Sequence, residues 1–278
     1  MPYRPPRRFR PAFIAAVLFT LTGCGRQPAV PLSAATAAET VAVVDSGSDA
    51  GRVWSISYPS LRPQWHVLDK AIRDFAATQK KQFLDAGSDS HPPSPAYSFD
   101  LKFAVARQTA DFISVLAGGN EFIGGAHAMP IVASFNLDTA SDKLVGIEDL
   151  FADPSTALQA LSAECRRQLE GRYEAKLRGE STSMTPQQQA VDSAYMRGWI
   201  EKGTAPTAAN YRVFLVDGLE TRAIGLTLIF PPYQVAAYAD GQQQVEVPAK
   251  VFYAQLKPEY RDAFAIDTQA DKLSGRVR

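Results

Sequence analysis

The sequence has few of the residues that build metal centres and disulfide frameworks. It contains two cysteines and three histidines among 278 residues. His66, His91 and His127 lie far apart, and no His-Glu-x-x-His or Cys-x-x-Cys pair is present, which argues against a zinc site. A Gly-x-Ser-x-Gly elbow, a P-loop and a dinucleotide fingerprint are also missing. We therefore predict no metal site, no cofactor and no catalytic residue.

The chain also lacks an excess of charge of either sign. It carries 29 basic and 29 acidic residues. Four of the basic residues are Arg4, Arg7, Arg8 and Arg10, so 25 basic and 29 acidic residues lie after this N-terminal segment, a net charge of −4. This distribution does not resemble the basic surface of a nucleic-acid-binding protein, and no nucleic-acid partner is predicted.

One apolar run stands out, and it is too short to span a bilayer. It covers residues 12–21, follows the four arginines and leads into Leu21-Thr22-Gly23-Cys24. A basic segment, a short apolar core and a small residue before a cysteine are typical of a bacterial lipoprotein signal peptide. We predict cleavage after Gly23 and attachment of acyl chains such as palmitate to Cys24, as the anchor to the membrane. The alternative is an ordinary secretory signal with an incidental cysteine.

The composition divides the chain into five segments. They are a signal peptide at 1–23, a flexible tether at 24–51, an N-terminal α+β module at 52–123, a C-terminal α+β module at 124–256 and a charged tail at 257–278. The tether is rich in Ala, Pro, Ser, Gly and Thr.

Gly25 follows the cysteine where an aspartate would favour inner-membrane retention. An extracytoplasmic position is therefore expected, on the outer membrane facing the periplasm if the organism has two membranes.

Alternating and helical periodicities predict both strands and helices. Residues 97–105 alternate most clearly and form a predicted hairpin with the strand after the turn at 109–111. Helices are predicted from Pro63 and after an Asp153 cap, with Cys165 on the apolar stripe of the second as a small buried hydrophobe rather than a nucleophile. Other predicted strands are 53–58, 131–137, 211–216, 223–230 and 244–247, with a further helix at 187–200. This order indicates an α+β fold with antiparallel sheets, helices packed on one side and two closely associated modules.

Two segments contain candidate binding residues. Gly124 and Gly125 precede His127, whose imidazole can donate and accept hydrogen bonds. This segment is either a ligand or partner contact or a glycine bulge whose histidine ties down a loop. Tyr233 and Tyr238 follow two prolines, and they either form a carbohydrate or protein contact surface or pin an irregular passage between strands.

Three stretches taken together resemble a known pair of bacterial domains. They include Gly124 to His127, the segment 148–151, and the segment 230–241 with Val245-Glu246-Val247-Pro248. The chain resembles, over residues 52–256, adjoining domains of unknown function that form the lysozyme-binding ectodomain of an anti-sigma factor and that accompany the catalytic domain of peptidoglycan deacetylases. The resemblance implies an α+β fold of two tightly associated modules without catalysis of their own.

The leading hypothesis is a lipid-anchored, non-enzymatic binding protein of the cell envelope. The resemblance implies lysozyme or a related muramidase as partner, whose positive charge suits an acidic body, and peptidoglycan is the other candidate. The alternative is a cell-wall-active enzyme or accessory subunit that uses His127. A third hypothesis is a structural lipoprotein that binds another membrane protein.

Overall fold

A computed structural model describes residues 41–86, 96–180, 184–219 and 221–266. The predicted signal peptide, Cys24 and His91 lie outside these ranges. Nine β-strands and four α-helices, with several short 3-10 helices, make up the described fold. The strands form one six-stranded and one three-stranded sheet. This confirms the predicted α+β class with two sheet modules.

The larger sheet has its six strands in sequence order. All neighbouring pairs are antiparallel except β2 and β3, which are parallel and are connected through a helix, as parallel neighbours require. The strands are β1 (Val41–Asp49), β2 (Arg52–Pro59), β3 (Tyr97–Gln108), β4 (Phe112–Phe122), β5 (Met129–Asp138) and β6 (Lys143–Leu144).

Helix α1 (His66–Asp85) covers one face of this sheet, after a 3-10 turn over Pro63–Trp65. Its apolar residues pack against the alternating apolar residues of β3, because the helical and strand periodicities each place their large side chains on one side. The buried set includes Leu68, Ile72, Ala76, Phe83, Phe99, Leu101 and Phe103. Both the helix and the strand were predicted.

The smaller sheet is antiparallel, with β8 (Arg222–Phe230) between β7 (Phe214–Leu219) and β9 (Gln243–Pro248). Helix α2 (Pro154–Glu180) packs on it through the stripe that contains Cys165, and α3 (Pro186–Gly203) lies beside α2. Cys165 is fully buried, and burial raises the pKa of its thiol to about 12. The thiol therefore stays protonated, as expected of a core residue.

Side-chain caps define where both helices begin. The backbone N–H of Thr156 donates to Asp153 Oδ1 at 3.2 Å, so Asp153 is the predicted N-cap of α2. Thr185 and Gln188 form a reciprocal capping box at the start of α3.

Strand β7 joins the two sheets through polar side chains on the larger one. It is the edge strand of the smaller sheet, so its outer N–H and C=O groups need partners from elsewhere. Ser134 Oγ accepts from Phe214 N at 2.9 Å, Asn136 Nδ2 donates to Phe214 O at 3.1 Å, and Ser114 Oγ accepts from Val216 N at 3.0 Å. The protected edge and the apolar contacts beside it hold the sheets together.

The structure differs from the sequence predictions at three places. Strand β1 lies within the predicted tether, because the turn at Ala50 and Gly51 lets this segment pair with β2. Tyr211 belongs to a buried 3-10 helix rather than to the start of β7. The first part of the predicted tail is folded: Phe264 is fully buried, next to α4 (Pro258–Arg261).

The larger sheet runs from Val41 to Leu144, so the predicted boundary at 123/124 falls between two of its strands. The domain limits stay a prediction. All described residues belong to one unit, Leu32–Arg278. Within the described ranges, no helix is both long enough and apolar enough to cross a membrane.

Candidate functional site

The two segments with candidate binding residues meet in the structure, although His127 and Tyr233 are 106 residues apart in the chain. His127 Nε2 lies 3.2 Å from the Tyr233 hydroxyl. The rings of His127 and Tyr238 stack with their centroids 4.0 Å apart, and the Tyr238 hydroxyl donates to Ala128 O at 3.0 Å. The three rings therefore form a single cluster.

The hydrogen bonds assign the tautomer of His127. Its Nδ1 lies 3.2 Å from Ala128 O, and a carbonyl oxygen only accepts, so Nδ1 must carry the proton. In the neutral ring Nε2 is then an acceptor, and the Tyr233 hydroxyl donates to it. The imidazole is oriented on both sides, while the residue itself is exposed.

Gly124 and Gly125 form the loop that presents His127. Their φ angles are +101° and +96°, a region that residues with a Cβ rarely adopt. A Cβ at Gly125 would meet nothing within 4 Å, so the backbone conformation and not crowding requires glycine there. The loop connects β4 to β5 and leaves His127 at the surface.

Tyr233 also has a left-handed backbone, with φ +72°. For a residue with a side chain this conformation costs about 1–2 kcal/mol. Its N–H donates to Ala236 O at 3.0 Å, and Trp199 Nε1 donates to Tyr233 O at 2.9 Å. Residues held in strained backbone conformations by their surroundings cluster at functional sites. This strain supports Tyr233 as part of a site.

Helix α3 extends the cluster by two aromatic residues. Tyr195 and Trp199 are in edge contact with centroids 5.7 Å apart, and Tyr195 is 65% exposed. We call His127, Tyr195, Trp199, Tyr233 and Tyr238 the aromatic surface. Tyr195 and Trp199 were not among the candidate residues predicted from the sequence. Their four-residue spacing was the available signal, but that spacing is more typical of a core-facing stripe.

A cleft lies next to the aromatic surface, between α2, α3 and the segment 231–243. Its volume is about 160 Å³. Its walls combine apolar residues with charged residues of both signs. They are Leu169, Arg172, Tyr173, Lys176, Met196, Ile200, Val235, Ala236, Asp240 and Gln243. We call it the α2–α3 cleft. No sequence pattern predicts this cleft, because its walls come from three separate segments.

The chemistry that this arrangement can perform is stacking and hydrogen bonding. The polar contacts of His127 are a phenol hydroxyl and a backbone carbonyl. No ion pair joins it to a carboxylate among the described side chains, and these contain no group of three or more His, Cys, Asp or Glu that could hold a metal ion. His127, Tyr195 and Tyr233 are exposed, whereas Trp199 and Tyr238 are half-buried. Together these rings provide large rigid area with polar edges.

The C-terminal half of this fold has a recognised counterpart. Residues 148–250 match the DUF3298 family model. That model is described as a protein of unknown function. The DUF3298 match contains Tyr195, Trp199, Tyr233, Tyr238 and the whole α2–α3 cleft, whereas His127 lies outside it.

The chain is also similar to the peptidoglycan-N-acetylmuramic acid deacetylase PdaC of Bacillus subtilis (strain 168). The identity is 22% over 213 residues, which are 75% of this chain and 40% of the deacetylase. The chain thus spans less than half of that enzyme's length. These matches confirm the resemblance to a domain of unknown function found in a peptidoglycan deacetylase, while the likeness to an anti-sigma factor stays a prediction.

Two crystal structures of DUF3298 family proteins match this chain to different degrees. The one from Pseudomonas aeruginosa PAO1 has a TM-score of 0.52 and 16% identity, covering 78% of this chain and 93% of that one. The one from Bacteroides fragilis NCTC 9343 has a TM-score of 0.45 and 14% identity, covering 80% and 96%. At 16% identity the likeness to the first structure shows a shared fold alone and carries no statement about activity.

Proposed function

We propose that the chain is a lipid-anchored, non-enzymatic protein of the cell envelope that binds peptidoglycan through the aromatic surface. The observation that carries the proposal is the cluster of His127, Tyr233 and Tyr238, three rings assembled at the surface from two distant segments. Tyrosine and tryptophan are enriched where proteins bind partners, because their rings offer apolar faces and polar edges. The similarity to a peptidoglycan deacetylase supports a cell-wall partner.

The proposed anchor is the lipid on Cys24, which would keep the body within reach of the cell wall. Cys24→Ser removes the thiol to which the lipid is attached. In cells given a radiolabelled fatty acid, we expect label in the wild type and none in the variant, which should leave the membrane fraction. Equal membrane association of both proteins would contradict lipid anchoring.

Binding is tested by co-sedimentation of the full-length chain, in detergent, with purified peptidoglycan sacculi. Tyr195→Ala and Tyr233→Ala each remove exposed ring area, and we expect each to weaken binding about tenfold, the usual effect of losing a buried anchor. Ile266→Ala is the matched control. Ile266 is 53% exposed. It follows Ala265, whose N–H donates to Ala223 O at the start of β8. The aromatic surface lies beyond the other end of β8.

No sedimentation of the wild type would contradict peptidoglycan binding, and equal sedimentation of all variants would contradict binding through the aromatic surface. A lysozyme-like muramidase is the other proposed partner, since a body with a net charge of −4 attracts a cationic protein. Titration with lysozyme at low and high salt tests it. A complex that weakens with salt and requires Tyr233 would indicate that the aromatic surface binds a protein partner.

The alternative enzymatic function rests on one contact. The Tyr233 hydroxyl is 3.2 Å from His127 Nε2, within the range of proton transfer. Sacculi incubated with the protein are assayed for new reducing ends, free amines and released peptides. Under the binding proposal none forms. A product formed by the wild type and lost in His127→Ala would support the enzyme instead.

A further inference from the structure

We infer that the α2–α3 cleft is a subsite for a carboxylate attached to a small, methyl-bearing group, such as occurs at the ends of cell-wall fragments. This inference deepens the proposed function, on which the choice of a cell-wall ligand rests. The cleft shares α3 and the segment 231–243 with the aromatic surface. Its apolar residues, its charges and its size each restrict what it can hold.

The apolar part of the cleft is a wall of buried aliphatic side chains. Leu169 is 5% exposed, Ile200 2% and Val235 1%, and Ala236 continues this wall. A methyl or methylene group bound there is removed from water, which contributes about 0.8 kcal/mol for each carbon. The cleft therefore favours a ligand with an apolar group and disfavours a bare inorganic ion.

The charged part of the cleft has an excess of one positive charge. Arg172 and Lys176 contribute two cations, and Asp240 contributes one carboxylate, which lies 2.8 Å from Lys176 Nζ. Arg172 donates to Gln244 O through Nη1 and to Gln168 Oε1 through Nη2. These two bonds orient the guanidinium, whose planar set of N–H donors suits a planar carboxylate.

The volume of the cleft limits the group that it can enclose to a small fragment. A cavity of about 160 Å³ matches the size that holds one benzene-sized group, and ligand pockets for larger molecules start near 300 Å³. The enclosed part of the cleft is smaller than a disaccharide and matches one carboxylate with a neighbouring methyl-bearing carbon. The cleft would therefore hold the end of a chain whose next groups lie outside it.

Two cell-wall groups share this chemistry. One is the terminal D-alanine of a peptide stem, and the other is the lactyl group of muramic acid when no peptide is attached to it. N-acetyl-D-alanyl-D-alanine and N-acetylmuramic acid are probes for the two sources. The corresponding amides are the matched uncharged probes, since they keep the shape and remove the charge.

The test is a titration of the full-length chain in detergent with each probe, in which binding is measured by calorimetry or by ligand-observed NMR. We expect one acid to bind and its amide to bind at least about tenfold more weakly, because an uncharged amide loses the charge-assisted hydrogen bonds. Arg172→Gln should weaken binding of the acid by a similar factor and should leave the weak binding of the amide unchanged. Which acid binds identifies the source.

Arg197→Gln is the matched control variant. Arg197 is an exposed cation on α3 that pairs with Glu174 at 3.2 Å and does not line the cleft, so its loss should not change the affinity. Met196→Ala is the second test variant, because it reduces the apolar wall without altering charge. We expect it to weaken both the acid and the amide.

Two outcomes would overturn the inference. One is that neither acid binds at millimolar concentration, and the other is that acid and amide bind the wild type and Arg172→Gln equally. Either result leaves the sacculi assay, which depends on Tyr195 and Tyr233, as the separate measure of the proposed function. If sacculi do not bind but an acid does through Arg172, the cleft assignment holds and peptidoglycan binding fails.

Discussion

At the scale of single residues, one close backbone contact positions the segment that contains Tyr233 and Tyr238. Gly203, at the end of α3, faces the backbone of Gln234. A Cβ on Gly203 would lie 2.0 Å from Gln234 O. Gln234 Nε2 in turn donates to Gly203 O and to Asn210 O, each at 2.9 Å. The absence of a side chain at Gly203 is therefore what lets the segment dock against α3.

Gly203→Ala tests this contact. The added methyl forces the backbone apart, and we expect a loss of about 1–3 kcal/mol in the free energy of unfolding, measured with urea. Gly198→Ala on the same helix is the control. A Cβ there meets nothing within 4 Å, so the change should stabilise the helix by about 0.5–1 kcal/mol. Similar effects of both substitutions would show that the contact does not matter.

Individual residues also show which features of the candidate site could be predicted from the sequence. Gly124 and Gly125 were selected because paired glycines allow positive φ, and the structure has both at positive φ. The left-handed φ of Tyr233 had no signal in the sequence, since tyrosine does not favour it. That conformation depends on hydrogen bonds from Trp199 and to Ala236, which are distant or irregular contacts.

At the scale of secondary-structure elements, β1 is held to α1 as well as to β2. Asp45 on β1 accepts from Lys80 Nζ at 2.9 Å and from Trp54 Nε1 at 3.2 Å. The ammonium of Lys80 also lies over the Trp54 ring, 4.6 Å from its centroid. These contacts attach the first strand to the helix, and no periodicity in the sequence could predict them. The predicted tether therefore included residues that belong to the sheet.

The Asp45 contacts predict a dependence of stability on acid. The hydrogen bond from Lys80 is the main cause that lowers the pKa of Asp45 below 3.8. A carboxyl whose pKa is lowered on folding stabilises the folded state at pH values above 3.8. This contribution is lost as the pH falls through the folded-state pKa. At neutral pH we expect Asp45→Asn to cost less than about 1 kcal/mol, since the pair is partly exposed.

The measurement is urea unfolding of wild type and Asp45→Asn over a pH series. The difference in unfolding free energy should shrink towards zero as the pH falls from 3.8 through the lower folded-state pKa, below which the wild-type carboxyl is neutral in the folded and the unfolded state. A Lys81→Gln variant is the control, because Lys81 pairs with Asp85 within α1 and does not contact β1. A difference that stays constant across the series would contradict the role of the Asp45 charge.

At the scale of the whole molecule, an ion pair joins the two sheets. Arg107 Nε on β3 donates to Asp217 Oδ1 on β7 at 2.8 Å, and Thr227 on β8 donates to Asp217 Oδ2 at 2.6 Å. The side chains of Arg107 and Asp217 are 25% and 16% exposed. Burial raises the pKa of Asp217 despite its bonds to Thr227 and Arg107. We therefore expect the pair to contribute little net stability and to specify how the sheets meet.

Removing one partner of this pair should harm the protein more than replacing both. We expect Asp217→Ala to cost about 3–5 kcal/mol, because Arg107 is left without its carboxylate in a largely buried place. The combination of Arg107→Met and Asp217→Leu should cost less, since it leaves no charge behind. Urea unfolding of both variants measures the difference. A double variant that is less stable than Asp217→Ala would contradict this account.

Local sequence patterns predicted the α+β class, most strand and helix positions, and the cap at Asp153, because these depend on local periodicity and on side chains next to the backbone groups they satisfy. It also selected His127, Tyr233 and Tyr238, but with a structural and a functional interpretation for each. Only the folded chain shows that these rings meet, that Tyr195 and Trp199 join them, and that α2, α3 and the segment 231–243 enclose a cleft. The physical reason is that these contacts link segments many residues apart, and they exist only once β7 has docked on the larger sheet and α3 has packed against α2.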